Sequence, residues 1–345
     1  MINKNMKNLK EILSETYNHK EWWGYYDCEK EFDIFSPDGC KGFVGSFFEK
    51  SGKANLFHFL PENDLNSERW QHIVYVFLLG IYLYKKSSYG ETIENEIKAL
   101  NKKSKTDIKF EFVWFLICLC HDLFHSAEDD LSKEYFDSCK LKKVCGVPNL
   151  FDKLPLRYYF YRRLQGKNDH GVVTGFKMYN ELCRIRKEQE SYVTESQNGI
   201  MLSWNKNLEK IYNYTAWIVA CHNMWFKHSY VPTDVLSCTL YRLFGLDDLI
   251  FNSEYDIAQY KQKCKKNAIF RLFCIIDTIE VIKVVCKTEE LEKIKMDVLN
   301  DGIIIDVSES EDKEKLKDNI ESLDKWIVDI ESMKTMGLYS FKIKL

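Results

Sequence analysis

The sequence predicts a mainly α fold, and three observations carry that expectation. Only five prolines occur in 345 residues, apolar residues recur at the 3.6-residue period of a helix over most of 66–300, and strict alternation is scarce there. Apolar residues make up 45% of the chain and aromatics 14%, enough for a sizeable core.

The periodic segments place helices at 67–86, 91–102, 108–124, 130–140, 153–165, 171–187, 207–226, 233–243, 254–264 and 265–285. Most breaks carry a signal: SSYG at 87–90, GVPN at 146–149, GKNDHG at 166–171, VPTD at 231–234 and GLDD at 245–248. They combine the residues that end helices and open turns. Residues 1–64 stand apart from this helical domain of 65–287. Around WWGYYD, SPDG and KGFVGSFFEKSG they are aromatic and glycine-rich, which predicts an irregular segment or short strands packed on the helical body. From 288 to 345 the character changes again. GIIIDV reads as a short strand, EKLKDNIESLDKWIVDIE as an amphipathic helix capped by Ser308 or Ser310, and YSFKIKL as alternation, so a β-α-β appendage is expected.

Lys and Arg number 49 against 52 Asp and Glu, a formal charge of −3. No overall field draws in nucleic acid or an anionic membrane, so an anionic ligand needs a local site. The opening MINKNMKNLKEILSETYNHK lacks the apolar core of a secretory signal, and VWFLICLC and IVYVFLLGIYLY fall short of the ~18–20 residues that span a bilayer. A cytoplasmic chain with no membrane partner is the expectation. Of 12 cysteines, Cys118, Cys120, Cys221, Cys274 and Cys286 lie in apolar helical segments, as reduced core residues do.

Chemistry enters through polar residues set against apolar helical runs. His72 lies in RWQHIVYVFLL, His121 and Asp122 in FLICLCHDLFH, His222 in TAWIVACHNMW and Asp277 in RLFCIIDTIEVIKVV. A single such histidine is more often a core residue bonded to a carbonyl. An unpaired buried carboxylate, however, either protonates or acquires a partner, and four helices repeat the pattern. One shared cation accounts for all of them, since imidazole nitrogens with carboxylate oxygens are donors that borderline divalent ions prefer.

The order His72, then His121-Asp122, then Asp277 resembles the H…HD…D signature of the HD-domain superfamily of metal-dependent phosphohydrolases, whose fold is a helical bundle. His170 in NDHGVVTG resembles the helix start of the subset that binds two metals, and His222 falls where that subset has a further histidine. The resemblance covers about 65–285. It implies that His72, His121, Asp122 and Asp277 bind one divalent ion, and that Asp122 bridges to a second held by His170 and His222. The ions would be Mn, Fe, Ni, Co, Zn or Mg. Phe124 departs from the common HDLGH form, whereas His125 is retained.

The activity so implied is hydrolysis of a phosphoester or phosphoanhydride of a nucleotide, a cyclic nucleotide, dNTP or signalling nucleotide, by a metal-activated hydroxide. Besides Asp122, His125 or Glu128 would supply the leaving-group proton. Arg69, Lys177 and Arg271 are the candidate phosphate-binding cations. Thr278 and Glu280 could support the ligands from behind, or serve as a local cap or ion pair. Two other readings use the same residues: a di-iron oxygenase resembling inositol oxygenase, and a non-catalytic protein that senses a metal or nucleotide.

Overall fold

The computed structural model describes residues 6–23, 31–50, 67–122, 170–190, 206–222, 268–285, 287–299, 302–321, 323, 328–331 and 338–343. The helices expected at 130–140, 153–165, 233–243 and 254–264 lie outside them. Mainly helical structure is what the described residues show, together with a small antiparallel sheet. The chain forms two compact units, the first from Met1–Val44, Ser67–Ala99 and Lys261–Leu345, the second from Gly45–Asn66 and Leu100–Tyr260.

In the described residues before Ser67 the structure departs from the expected irregular segment or short strands, because most of them are helical. The helices are α1 (Leu9–Asn18), α2 (Lys20–Trp23) and α3 (Pro37–Lys50). Asn8 opens α1 with a capping box: its side chain accepts from Glu11 N–H at 2.8 Å while the Glu11 carboxylate accepts from Asn8 N–H at 2.9 Å. That satisfies two backbone donors that a helix start leaves over. The aromatic residues of this segment serve as core. Trp23 packs edge-on against Phe43 and Phe77 at centroid distances of 5.3 and 6.4 Å, and its indole N–H donates to Thr16 O at 2.8 Å.

Helix α4 (Ser67–Lys86) is buried on every side from Trp70 to Tyr84, as expected of a helix apolar all round. It is followed by α5 (Tyr89–Ser104), α6 (Phe110–Cys120), α7 (His170–Glu190), α8 (Leu208–Cys221), α9 (Ala268–Ile279), α10 (Ile282–Val285), α11 (Glu290–Lys293) and α12 (Lys313–Glu321). In the first unit α9 and α10 pack on α4. The Glu96 carboxylate of α5 accepts the N–H groups of Ala268 and Ile269, which caps the described start of α9. The helix expected over 265–285 breaks after Ile279, and α10 opens two residues beyond the break. The break is local chemistry: Ile282 N–H donates to the Glu280 carboxylate at 2.8 Å, a side-chain cap inside an apolar run.

The C-terminal β-α-β expectation is corrected as well. Strands β2 (Lys295–Val298) and β3 (Gly302–Asp306) form one antiparallel pair before α12, and β4 (Val328–Glu331) and β5 (Leu338–Ile343) another after it. Strand β1 (Lys7–Asn8) adds to β2, giving the order β1-β2-β3-β5-β4. Both chain ends therefore share one sheet. In β3, Ile303 and Ile305 are buried and alternate with Ile304, the period-two pattern of a strand. The Ser310 hydroxyl accepts from Asp312 N–H at 3.2 Å, just ahead of α12, and Ser308 bonds Asp306.

In the second unit α7 and α8 pack closely, and α6 packs on α8. Near one end of the pair Arg186 Nε donates to Glu209 at 2.9 Å. Toward the other, a Cβ added at Gly175 would lie 2.6 Å from Ala216 O and 2.8 Å from Ala220 Cβ. Only a residue without a side chain permits that approach. No described helix is long and apolar enough to cross a membrane, and the described cysteines, among them Cys118, Cys120, Cys221 and Cys274, are buried free thiols.

Gly175→Val is expected to destabilise the protein by roughly 1–3 kcal/mol through overpacking against the α8 backbone. Urea denaturation followed by circular dichroism reads the change. An unaltered midpoint would mean that the helices part without cost.

Candidate metal centre

His121 and Asp122 follow directly on α6, and the apolar run before them explains their place. Every residue of α6 is buried, so the helix carries its end into the interior. His121 bonds back to the last turn: its Nδ1 lies 2.7 Å from Cys118 O. A carbonyl only accepts, so Nδ1 carries the hydrogen and Nε2 is left as the coordinating nitrogen. His222 repeats the arrangement one residue past α8, with Nδ1 2.6 Å from Val219 O. Both rings have no exposure to water.

His170 is the first residue of α7, and Gly171 behind it lets the helix start press on His222. A Cβ there would meet His222 Nδ1 at 3.0 Å and Val219 O at 3.1 Å. The His170 and His222 rings lie 5.2 Å apart, and those of His121 and His222 5.5 Å. Asp122 Oδ1 is 3.4 Å from His170 Nε2, and Asp122 Oδ2 is 3.6 Å from His121 Nε2.

One donor atom from each of Asp122, His170 and His222 falls within 4.8 Å of the others. Bonds of about 2.1 Å place two donors of one ion no more than about 4.2 Å apart, so the set could hold a cation after small side-chain rotations. Nitrogen and oxygen donors of this kind suit Mn, Fe, Co, Ni or Zn. The negative ends of two helix dipoles, at His121 and His222, favour positive charge beside them. Burial raises the pKa of the neighbouring Cys120 thiol, which keeps it protonated and a poor ligand.

In the first unit His72 and Asp277 form a second donor pair. His72 Nε2 lies 3.1 Å from Asp277 Oδ1, and His72 Nδ1 lies 2.6 Å from Glu280 Oε2. Glu280 is buried and accepts from Ile282 N–H through its other oxygen. Of the two roles expected for Glu280, support of a ligand and local cap, each falls to one carboxylate oxygen. Thr278 has neither contact with the ligands; its hydroxyl donates to Cys274 O at 2.9 Å.

Among the expected phosphate-binding cations, Arg69 is half-buried one turn before His72 on α4, Lys177 is half-buried two turns after His170 on α7, and Arg271 is buried on α9. Phe124, His125 and Glu128 lie outside the described residues. Sequence reasoning missed Lys283, whose Nζ lies 2.8 Å from Asp277 Oδ1. Its spacing of six from Asp277 gives no signal while 265–285 is read as one helix. The four-residue spacing of Gly171 and Gly175, matched by Ala216 and Ala220, would have revealed the close helix contact.

No family model, curated protein or solved structure matches the chain.

Burial and the Lys283 charge lower the pKa of His72, but bonds to Asp277 and Glu280 outweigh them and hold it above its ordinary value of 6.5. In metal-free protein the native state thus binds this proton more tightly than the unfolded chain. The resulting stabilisation is fully present below pH 6.5, and it is lost as pH rises through the folded pKa, by at most about 1.4 kcal/mol per pH unit. Urea midpoints measured in chelator across this range are expected to fall with pH in the wild type and to fall less steeply in His72→Gln.

Proposed function

We propose that the chain is a metal-dependent phosphohydrolase of the HD type, cleaving a phosphoester or phosphoanhydride of a nucleotide. The observation that carries this reading is the largely buried Asp122–His170–His222 donor set, in which His222 presents Nε2 because Val219 O holds its Nδ1. His72 and Asp277 form a further donor pair, with Glu280 behind the imidazole. The nucleotide part of the reading comes from the resemblance of the H…HD…H…H…D order.

A divalent ion held by these residues would supply a nucleophile from water near neutral pH and would offset charge on phosphoryl oxygens. The chain's part is to bind and orient. Asp122 carries negative charge where His121 and His222 are neutral donors, so it sets the attraction for a cation. His170 is 20% exposed and Asp277 12%, which leaves each donor set one side open to a ligand. Arg69, Lys177 and Arg271 are the cations assigned to the phosphate, and His125 or Glu128 the donors assigned to the leaving oxygen. Burial of the remaining ligands excludes bulk water and strengthens electrostatic contacts at the site.

The test is a screen of nucleotides, cyclic nucleotides and simple phosphoesters against Mn, Fe, Ni, Co, Zn and Mg, with phosphate release and oxygen uptake followed together. Phosphate release is expected from the wild type and a loss beyond about 100-fold from Asp122→Ala, accompanied by loss of bound metal. Oxygen uptake without phosphate release would replace this reading with the oxygenase one. Unchanged metal content in a variant carrying both His121→Ala and Asp122→Ala would remove the metal site itself.

A further inference from the structure

Lys283 lies beyond the end of α9, yet its ammonium returns to a residue within that helix. Its Nζ is 2.8 Å from Asp277 Oδ1, the same oxygen that faces His72 Nε2 at 3.1 Å. The return is built into the backbone. The break between α9 and α10 is held by Glu280, which accepts Ile282 N–H on Oε1 and His72 Nδ1–H on Oε2. One buried carboxylate thus fixes both the His72 ring and the turn that carries Lys283.

An ordinary surface ion pair has both partners in water and little preference for one geometry. This pair is different. Asp277 is 12% exposed while the Lys283 side chain is 37% exposed, so the ammonium sits on the open side of a largely buried carboxylate. A divalent ion taken up by His72 and Asp277 would repel an ammonium that shares Oδ1 with it. The ammonium swings on a flexible four-carbon stem. It therefore stays within reach of the site and meets an anion drawn to the same ion.

We propose that Lys283 is a substrate-binding residue. It holds the Asp277 carboxylate in the metal-free protein and takes a phosphoryl oxygen of the substrate once His72 and Asp277 hold a divalent ion. This inference rests on the phosphohydrolase reading above and adds to it a residue outside the resemblance. A compact ammonium serves phosphate as a point charge, so any phosphoryl group is expected to engage it, whatever the rest of the substrate.

The experiment compares wild-type protein, Lys283→Met, Lys283→Gln and Lys283→Arg after loading with Mn and dialysis. Bound metal is measured by mass spectrometry, inorganic phosphate affinity by titration calorimetry and folding by circular dichroism. All four are expected to hold the same metal. Phosphate binding should weaken roughly tenfold or more in Lys283→Met and Lys283→Gln, the loss of one charge-assisted hydrogen bond, and stay within a few-fold of wild type in Lys283→Arg. Wild-type phosphate affinity in either neutral variant, with metal retained, would overturn the assignment of Lys283 alone. Metal loss in a folded neutral variant would overturn it too, by making the lysine a support of the ligands. Metal-loaded wild type that binds no phosphate would overturn the phosphohydrolase reading and this inference with it.

Discussion

Three imidazoles without access to water, those of His72, His121 and His222, each commit Nδ1 to an acceptor of their own unit. The remaining structure of each donor set follows from that commitment. An imidazole free at both nitrogens could adopt either tautomer and turn over in its pocket, whereas one held at Nδ1 presents Nε2 in a single direction. For His121 and His222 the acceptors are carbonyls three residues earlier, in the last turns of α6 and α8. The apolar runs of α6 and α8 thus carry both ring and acceptor into the interior. Their length is a property of the site as much as of the core.

The same ends are where two helices can meet without insulating side chains. Gly171 and Gly175 open one face of α7 to the backbone of α8, and the Gly171 position touches the His222 ring and its carbonyl acceptor. Close packing, ring orientation and donor spacing are consequently a single constraint. A helix pair held apart by larger residues would keep its fold and move His170 away from His222. Arg186 and Glu209, largely buried partners further along the pair, hold the helices together where no ligand demands it.

Much of this was legible in the chain. The run RWQHIVYVFLLGIYLY is apolar at nearly every position, so its histidine had to be buried, and Trp70 to Tyr84 are. His121, Asp122 and His222 could be singled out because apolar flanks leave an ionisable residue few explanations, whereas His170 came only from the resemblance. The break at Glu280 was hidden, since IIDTIEVIKVV keeps helical periodicity through it and a side-chain cap leaves no Gly or Pro to mark it. For the same reason Lys283 could not be placed beside Asp277. The residues before Ser67 misled in the opposite direction: glycines and aromatics in SPDGCKGFVGSFFEK suggested irregular structure or short strands, but the segment is helical and Phe43 is covered by Tyr17 and Trp23. Tertiary burial of that kind overrides local propensity.

The elements that flank α4 and α9 bear on the donor residues despite belonging to neither helix. Asn319 of α12 donates its side-chain N–H to Thr278 O at 2.6 Å, one residue from Asp277 and two from Glu280. That carbonyl lies in the last turn of α9, where a helix runs short of intrahelical donors. At the other end of the chain, α1 packs on both α4 and α11, while Leu9 N–H donates to Ile294 O at 2.9 Å and β1 extends the sheet at β2. The sheet thus ties the segment after α9 to the segment before α4. These are the helices that present Asp277 and His72 to each other. A residue three positions out of place in either would carry its side chain nearly one full turn along the helix, so a donor pair at 3.1 Å requires that their relative register be held. The terminal ββαββ module, with β1 added, supplies part of that restraint, which gives it a role in ordering the donors as well as in covering the core.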